Sequence, residues 1–114
     1  MSTEFNVTSE VIGNALILVT EGYINNVGGE KIVNEFTKHQ DTGINKVVIN
    51  LEKSKVVNSI GISYLIELIE KLTQNNGRMI FTNLDPTIEK TFKIMGLFQY
   101  SEKADSVDSA LKSI

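Results

Sequence analysis

The chain has 114 residues, of which 41% are hydrophobic and 22% are charged. This composition predicts one globular domain over residues 1–114 and excludes a disordered chain. The formal net charge is −3 and no two Lys or Arg residues are adjacent, so we expect no nucleic-acid partner, because such a partner rewards a basic patch. The chain has no cysteine and a single histidine, His39, which excludes disulfides and thiol chemistry, and we expect no metal site and no cofactor.

The N-terminal residues and the lengths of the apolar runs predict the compartment. The start of the chain has no basic segment followed by an apolar core, so we expect no secretory signal. The uninterrupted apolar runs are far shorter than the roughly 20 residues of a membrane span. We therefore expect a cytoplasmic protein without membrane insertion.

The first half of the chain is typical of two strands, a helix and a third strand. Residues 5–11 alternate apolar and polar side chains, as a half-buried strand does. A turn at Gly13 leads into a second strand over residues 15–20. Residues 27–39 are predicted to form the first helix. Its apolar stripe consists of Ile32, Val33 and Phe36. The β-branched run over residues 46–51 predicts a central strand that is covered on both faces.

The second half begins with a long helix over residues 59–74 and a strand over residues 78–82. A third helix starts at Asp85 and Pro86, which suit the N-cap and the first helical position, and Gly96 ends it. Its core face is predicted to consist of Ile88, Phe92 and Met95.

The last segment contains a short strand over residues 98–100 and a terminal helix that Asp105 or Ser106 caps. The core side of that helix is predicted to consist of Val107, Ala110, Leu111 and Ile114. Helices that cross between strands imply a parallel or mixed sheet. The fold class is therefore α/β, with a mixed central sheet of four to five strands and about four helices packed on it.

The outward face of the helix over residues 59–74 contains one apolar side chain. At about 100° per residue, a polar arc consists of Ser63, Glu67, Glu70, Lys71 and Gln74. Ile60 falls inside this arc, and Tyr64 lies at its edge. An exposed isoleucine beside a tyrosine is typical of a surface that docks a partner. The alternative is that a neighbouring loop covers Ile60.

Ser59 lies where an extended apolar run ends and the long helix begins. A serine at this position can cap the helix through its side-chain oxygen, but Asn58 offers a cap as well. The Ser59 hydroxyl also faces the positive end of the helix dipole, where a phosphate group is well tolerated. The sequence thus leaves open whether Ser59 is a structural cap or a site of phosphorylation.

The residue pattern indicates no catalytic group. Glu67 and Glu70 lie one helical turn apart, but on the solvent face. His39 lies on the polar side of the first helix, so no Ser-His-Asp arrangement follows. Since no base, nucleophile and oxyanion donor can be named together, we expect that the protein is not an enzyme.

The order of elements, the run over residues 46–51 and the junction over residues 58–62 resemble a STAS domain. More narrowly, they resemble the small single-domain bacterial anti-sigma-factor antagonists. In that family the junction usually reads Asp-Ser-Ser-Gly-Leu-Gly, and its first serine, which is phosphorylated, matches Ser59. The family glycine matches Gly61. Residues 22–25 are similar to the family's Gly-Glu-Leu-Asp turn, which lies near the serine in space.

The chain departs from the family pattern at two acids, which are replaced by Asn25 and Asn58. The second family serine is replaced by Ile60, and the second glycine is either replaced by Ser63 or absent. A phosphate group adds about −1.5 to −2 charges at neutral pH. Because neither neighbouring acid is present, the resemblance implies that a phosphate on Ser59 is accepted more readily here than in the family pattern.

The resemblance implies a partner switch in bacterial transcription regulation. The unphosphorylated protein would bind an anti-sigma factor or switch kinase, a serine kinase of the histidine-kinase-like ATPase type. Phosphorylation of Ser59 would block this docking, and a serine phosphatase would reset it. The expected partner-binding residues lie at the two junctions and on the first turns of the long helix: Asn25, Asn58, Ser59, Ile60, Gly61, Ser63, Tyr64 and Glu67.

A second interpretation is a STAS regulatory or ligand-binding module without a phospho-switch, such as a subunit of a transport or sensor assembly. The departures at Asn25, Asn58 and Ile60 favour it.

Overall fold

A computed structural model describes residues 4–114, and within them five strands form one sheet in chain order. The strands are β1 (Asn6–Ile12), β2 (Ala15–Glu21), β3 (Lys46–Lys53), β4 (Arg78–Thr82) and β5 (Glu102–Ala104). β1 runs antiparallel to β2, and every other neighbouring pair is parallel. The predicted mixed α/β sheet is confirmed. Residues 1–3, which belong to the predicted domain and to the segment expected to lack a secretory signal, lie outside the described residues.

Within residues 4–114, four α-helices pack on the two faces of the sheet. They are α1 (Asn26–Thr37), α2 (Ser59–Gln74), α3 (Pro86–Ile94) and α4 (Val107–Lys112). The first three contribute to the larger apolar core, whereas Ala110 of α4 joins a smaller core with Ile17, Val48 and Ile80. α1 ends two residues before the predicted end at His39. None of the helices in this part of the chain is long and apolar enough to cross a membrane.

The central position predicted for residues 46–51 is confirmed, because β3 pairs with β2 on one side and β4 on the other. Val47 and Ile49 belong to the larger core, and Val48 belongs to the smaller core on the opposite face. All three are fully buried. A continuous apolar run is what a strand needs when both of its faces are covered.

The predicted strand over residues 98–100 is wrong. Gly96 has φ 81°, a left-handed conformation that suits glycine, and the chain then forms a short 3-10 turn at Leu97–Gln99. The Phe98 ring packs against the Phe81 ring, with the ring centroids 6.4 Å apart. Phe98 therefore belongs to the turn, which its ring holds against the core, and not to a strand.

The last strand is the polar segment Glu102–Ala104, which periodicity did not reveal. Arg78 of β4 donates a hydrogen bond from Nε to Glu102 Oε2 at 2.8 Å, and another from its guanidinium to the Ser113 carbonyl oxygen at 3.2 Å. Arg78 thus joins β4 to β5 and to the end of α4. A strand of three residues carries too little alternation to be read from sequence.

One predicted core assignment near the C-terminus is wrong, and the structure decides between the two predicted caps of α4. Met95 is 48% exposed because α3 ends at Ile94 and Met95 is its C-cap. The cap of α4 is Ser106 and not Asp105, since the Ser106 hydroxyl accepts a hydrogen bond from the Ser109 N–H. Ala110 is fully buried as predicted. The other predicted core residues of α4 are partly buried and pack against the same core, so the predicted core side of α4 is confirmed: Val107, Leu111 and Ile114.

A side-chain hydrogen bond joins the edge strand β1 to α1. The Ser9 hydroxyl donates to Glu35 Oε2 at 2.6 Å. This bond is the largest cause that holds the pKa of Glu35 below its ordinary value; burial raises the pKa, while Lys38 and His39 add to the lowering. The ionised form of Glu35 is therefore favoured by folding.

We expect Ser9→Ala to lower the free energy of unfolding by about 1–2 kcal/mol at neutral pH, and by less near pH 3. Because the pKa of Glu35 is depressed in the folded state, ionised Glu35 stabilises the fold at pH values above the ordinary carboxyl pKa. This stabilisation is lost as the pH falls through the pKa of Glu35 in the folded state. Urea unfolding at both pH values measures this. Thr8→Ala, an exposed change on β1, is the control. An equal loss at both pH values would contradict the assignment.

Candidate functional site

The loops that follow β2 and β3 lie side by side at the carboxyl edge of the sheet, because these strands are parallel neighbours. Ile24 forms a parallel bridge with Val57. Its N–H donates to the Val56 carbonyl oxygen at 3.0 Å, and its carbonyl oxygen accepts from the Asn58 N–H at 3.1 Å. The start of α1 is thereby held next to the start of α2, at the sheet edge where α/β proteins commonly bind ligands.

Both helices begin at an asparagine cap. The Asn25 side-chain oxygen accepts hydrogen bonds from the N–H groups of Val27 and Gly28, each at 3.0 Å. The Asn58 side-chain oxygen accepts from the Gly61 N–H at 2.8 Å. The sequence left open whether Ser59 or Asn58 caps the long helix, and the structure shows that Asn58 is the N-cap of α2.

Ser59 is the first residue of α2 and is exposed. Its hydroxyl has no hydrogen-bond partner among residues 4–114. A helix N-terminus carries partial positive charge, so a negative group attached to this hydroxyl would meet a favourable field. The Ser59 hydroxyl therefore does not cap the helix, and it is accessible for modification.

The two other serines near this junction are engaged. Ser54 is fully buried and shares a hydrogen bond with the Thr20 hydroxyl at 2.7 Å. Ser63 is exposed, but its hydroxyl donates to the Ile60 carbonyl oxygen at 2.5 Å. Ser59 thus differs from both neighbours in combining exposure with an unbonded hydroxyl.

Gly61 permits the close approach of α2 to the loop after β2. A Cβ at this position would overlap the Ile24 carbonyl oxygen, which also accepts the Asn58 hydrogen bond. Gly61 is buried, so its part in the predicted partner-binding set can only be to position the junction.

Tyr64 and Glu67 lie on or beside the outward arc of α2, but both side chains make contacts within the protein. Tyr64 is half-buried, because its ring lies against Gly29 of α1, where a Cβ would come within 2.6 Å of the Tyr64 Cδ2 atom. Glu67 forms an ion pair with Lys71 at 3.3 Å. The sequence analysis did not predict that Gly29 makes room for the Tyr64 ring. The pair of glycines at the start of α1 was the signal that could have indicated it.

Exposed apolar side chains lie on both loops and on the first turn of α2. Ile60 is 53% exposed, so the prediction that it faces outward is confirmed, and the alternative in which a loop covers it is wrong for the described chain. Three further side chains on these segments are between 43% and 56% exposed: Tyr23, Val27 and Val56. Together with Ile60 they form what we call the apolar rim. Large side chains exposed together mark interaction sites.

The structure brings together one serine, glutamate and histidine that the sequence did not connect. Ser9 Oγ lies 2.6 Å from Glu35 Oε2 and 3.3 Å from His39 Nε2. The serine stands between the carboxylate and the imidazole, whereas nucleophilic catalysis needs the histidine between the other two. Among residues 4–114, no three His, Cys, Asp or Glu side chains are grouped to hold a metal ion.

Comparison with known proteins agrees with this architecture. The STAS domain family matches residues 6–110, and the chain belongs to this family. BtrV of Bordetella bronchiseptica, whose name designates it a candidate anti-sigma factor antagonist, is 25% identical over 90% of this chain and 89% of its own.

The fold is also found in solved structures, of which two are compared. A candidate anti-sigma factor antagonist from Thermotoga maritima has a TM-score of 0.86 and 13% identity, covering 95% of this chain and 93% of its own. The Bacillus cell fate determinant SpoIIAA in its phosphorylated form has a TM-score of 0.75 and 19% identity, covering 95% of this chain and 98% of its own.

The cap assignment predicts a contrast between two neighbouring alanine variants. Asn58→Ala is expected to lower the free energy of unfolding by about 1 kcal/mol, because it leaves the Gly61 N–H without its acceptor. Ser59→Ala is expected to change it by less than about 0.5 kcal/mol. Denaturant unfolding of both variants measures the contrast. A loss for Ser59→Ala that equals the loss for Asn58→Ala would mean that Ser59 shares the cap.

Proposed function

We propose that this STAS protein is a partner-switch regulator of the anti-sigma factor antagonist class. The observation that carries the proposal is the exposed, unbonded Ser59 hydroxyl at the start of α2, with the apolar rim on the surrounding segments. The name of the BtrV relative and the existence of a phosphorylated form of a structural neighbour support it.

In the unphosphorylated state, the apolar rim docks on an anti-sigma factor. Burying Tyr23, Val27, Val56 and Ile60 removes apolar surface from water, which favours association by roughly 25 cal/mol per Å² before its costs are subtracted. Asn25 and Asn58 keep the two loops in place through their caps. The partner would therefore meet a preformed surface.

Phosphorylation of Ser59 ends this docking. The phosphate adds about −1.5 to −2 charges beside a surface that must lose its water to bind, and burying an unpaired charge is costly. The fold itself tolerates the group, since a helix N-terminus favours an anion. Asn25 and Asn58 are uncharged, so neither repels it.

The proposed partners are an anti-sigma factor that is also a serine kinase of the histidine-kinase-like ATPase type, and a serine phosphatase that removes the phosphate. The protein itself performs no catalysis in this scheme, which operates in the cytoplasm, where sigma factors act. The second candidate function is a regulatory or ligand-binding STAS module without a phospho-switch, which the neutral Asn25 and Asn58 favour.

Reaction with the cognate kinase and ATP is expected to place one phosphate on Ser59, as mapped by mass spectrometry. The phosphoprotein is expected to bind the anti-sigma factor at least about tenfold more weakly, or about 1.4 kcal/mol, by calorimetry. Ser59→Ala is expected to abolish incorporation of this phosphate label. Ser63→Ala is the control and is expected to incorporate the label as the unmodified protein does. Label that survives Ser59→Ala would contradict the assignment of Ser59, whereas absence of label or unchanged affinity of the phosphoprotein would favour the module without a switch.

Ile60→Ala is expected to weaken binding of the anti-sigma factor by at least about 1 kcal/mol, while the free energy of unfolding changes by less than about 0.5 kcal/mol. Tyr64→Ala is expected to lower stability as well, because its ring packs on Gly29. Ile94→Ala, at a 73% exposed position outside the rim, is the control for binding. If Ile60→Ala destabilised the fold by several kcal/mol and left binding per folded molecule unchanged, the rim would not be the interface.

A further inference from the structure

A cleft of about 450 Å³ separates the C-terminal half of α2 from the segment that follows α3. Its apolar lining includes Ile66 and Ile69 of α2 and Leu97 of the 3-10 turn. Met95 and Tyr100 also line it and are 48% and 70% exposed. Small-molecule sites commonly have this size and an apolar lining with a few polar groups. Glu70 lies about 16 Å along α2 from Ser59, at about 1.5 Å per residue, so the cleft is separate from the proposed switch.

The electrostatics of the cleft favour a positive charge. Glu70 lines it, and among residues 4–114 its carboxylate forms no ion pair. The neighbouring Lys71 pairs with Glu67 at 3.3 Å. Thr73 and Gln74, in the last turn of α2, also line the cleft.

The C-terminal end of a second helix meets the same cleft. Met95 is the C-cap of α3, and Gly96 follows it in the lining. The C-terminal end of a helix carries partial negative charge, so the dipoles of α2 and α3 add to the charge of Glu70. Tyr100 offers an accessible aromatic ring, which attracts cations through its face.

We propose that this cleft binds a small amphipathic cation, an ammonium group on an aliphatic or aromatic body. The body lies over Ile66, Ile69 and Leu97. The ammonium group lies at the rim, where it pairs with Glu70. Glu70 and the two helix C-termini place negative charge at one rim of an apolar cleft, an arrangement that disfavours an anionic ligand.

Three probes with one body and different head groups test the charge preference: phenylbutylamine, phenylbutanol and phenylbutyrate. Each titration is followed by NMR, and the backbone amide signals of Ile69, Thr73 and Leu97 are expected to shift when a probe binds. The amine is expected to bind about fivefold more tightly than the alcohol, the upper end of the effect of one surface ion pair, and the carboxylate is expected to bind most weakly. Equal affinity for the three probes, or shifts outside the cleft, would overturn the proposal.

Glu70→Gln is expected to reduce the preference for the amine to less than about twofold, because only the helix dipoles and Tyr100 remain, and to leave binding of the alcohol unchanged. Glu30→Gln, which removes an exposed carboxylate from α1, is the matched control and is expected to retain the preference. A Glu70→Gln protein that prefers the amine as strongly as the unmodified protein would refute the role of Glu70. An acetylated phenylalanyl-lysine amide that binds more tightly than the amine would identify the occupant as a side chain of a protein partner, and the small-molecule assignment would be wrong.

Discussion

The arrangement of the site depends on the contact between Ile24 and the start of α2. The Ile24 backbone bonds to Val56 and Asn58, and Gly61 lets the helix approach the Ile24 carbonyl oxygen. This contact joins two loops that are distant in the chain and fixes the direction in which α2 leaves the sheet. Any side chain at position 61 would displace the helix, and with it Ser59 and Ile60.

α2 carries different chemistry at its two ends. Its N-terminus is capped by Asn58 and presents Ser59 to solvent, where the helix dipole favours an anion. Its C-terminal half faces the cleft with Glu70, where the dipole favours a cation. The helix between them is firmly held, because Leu65, Leu68 and other inward side chains are fully buried in the larger core. One rigid element thus separates a proposed phosphate site from a proposed cation site.

Much of the fold follows from local pattern. The predicted bounds of α2, 59–74, and of β4, 78–82, agree with the structure, because helical periodicity, strand composition and turn residues act over short distances. The prediction failed at residues 98–100 and at Met95. In both places the left-handed Gly96 and the packing of Phe98 on Phe81 decided the path of the chain, and such contacts between distant residues leave no periodic pattern.

The sequence by itself determined the order of elements, the buried central strand and the junction at which Ser59 stands, since propensity, patterning and capping residues are local properties. Only the tertiary structure decided that Asn58 is the cap, that Tyr64 packs on Gly29 while Ile60 stays exposed, and that Tyr23, Val27 and Val56 join Ile60 in one rim. Each of these outcomes depends on which segments the parallel pairing of β2 and β3 brings together, and that pairing joins residues far apart in the chain.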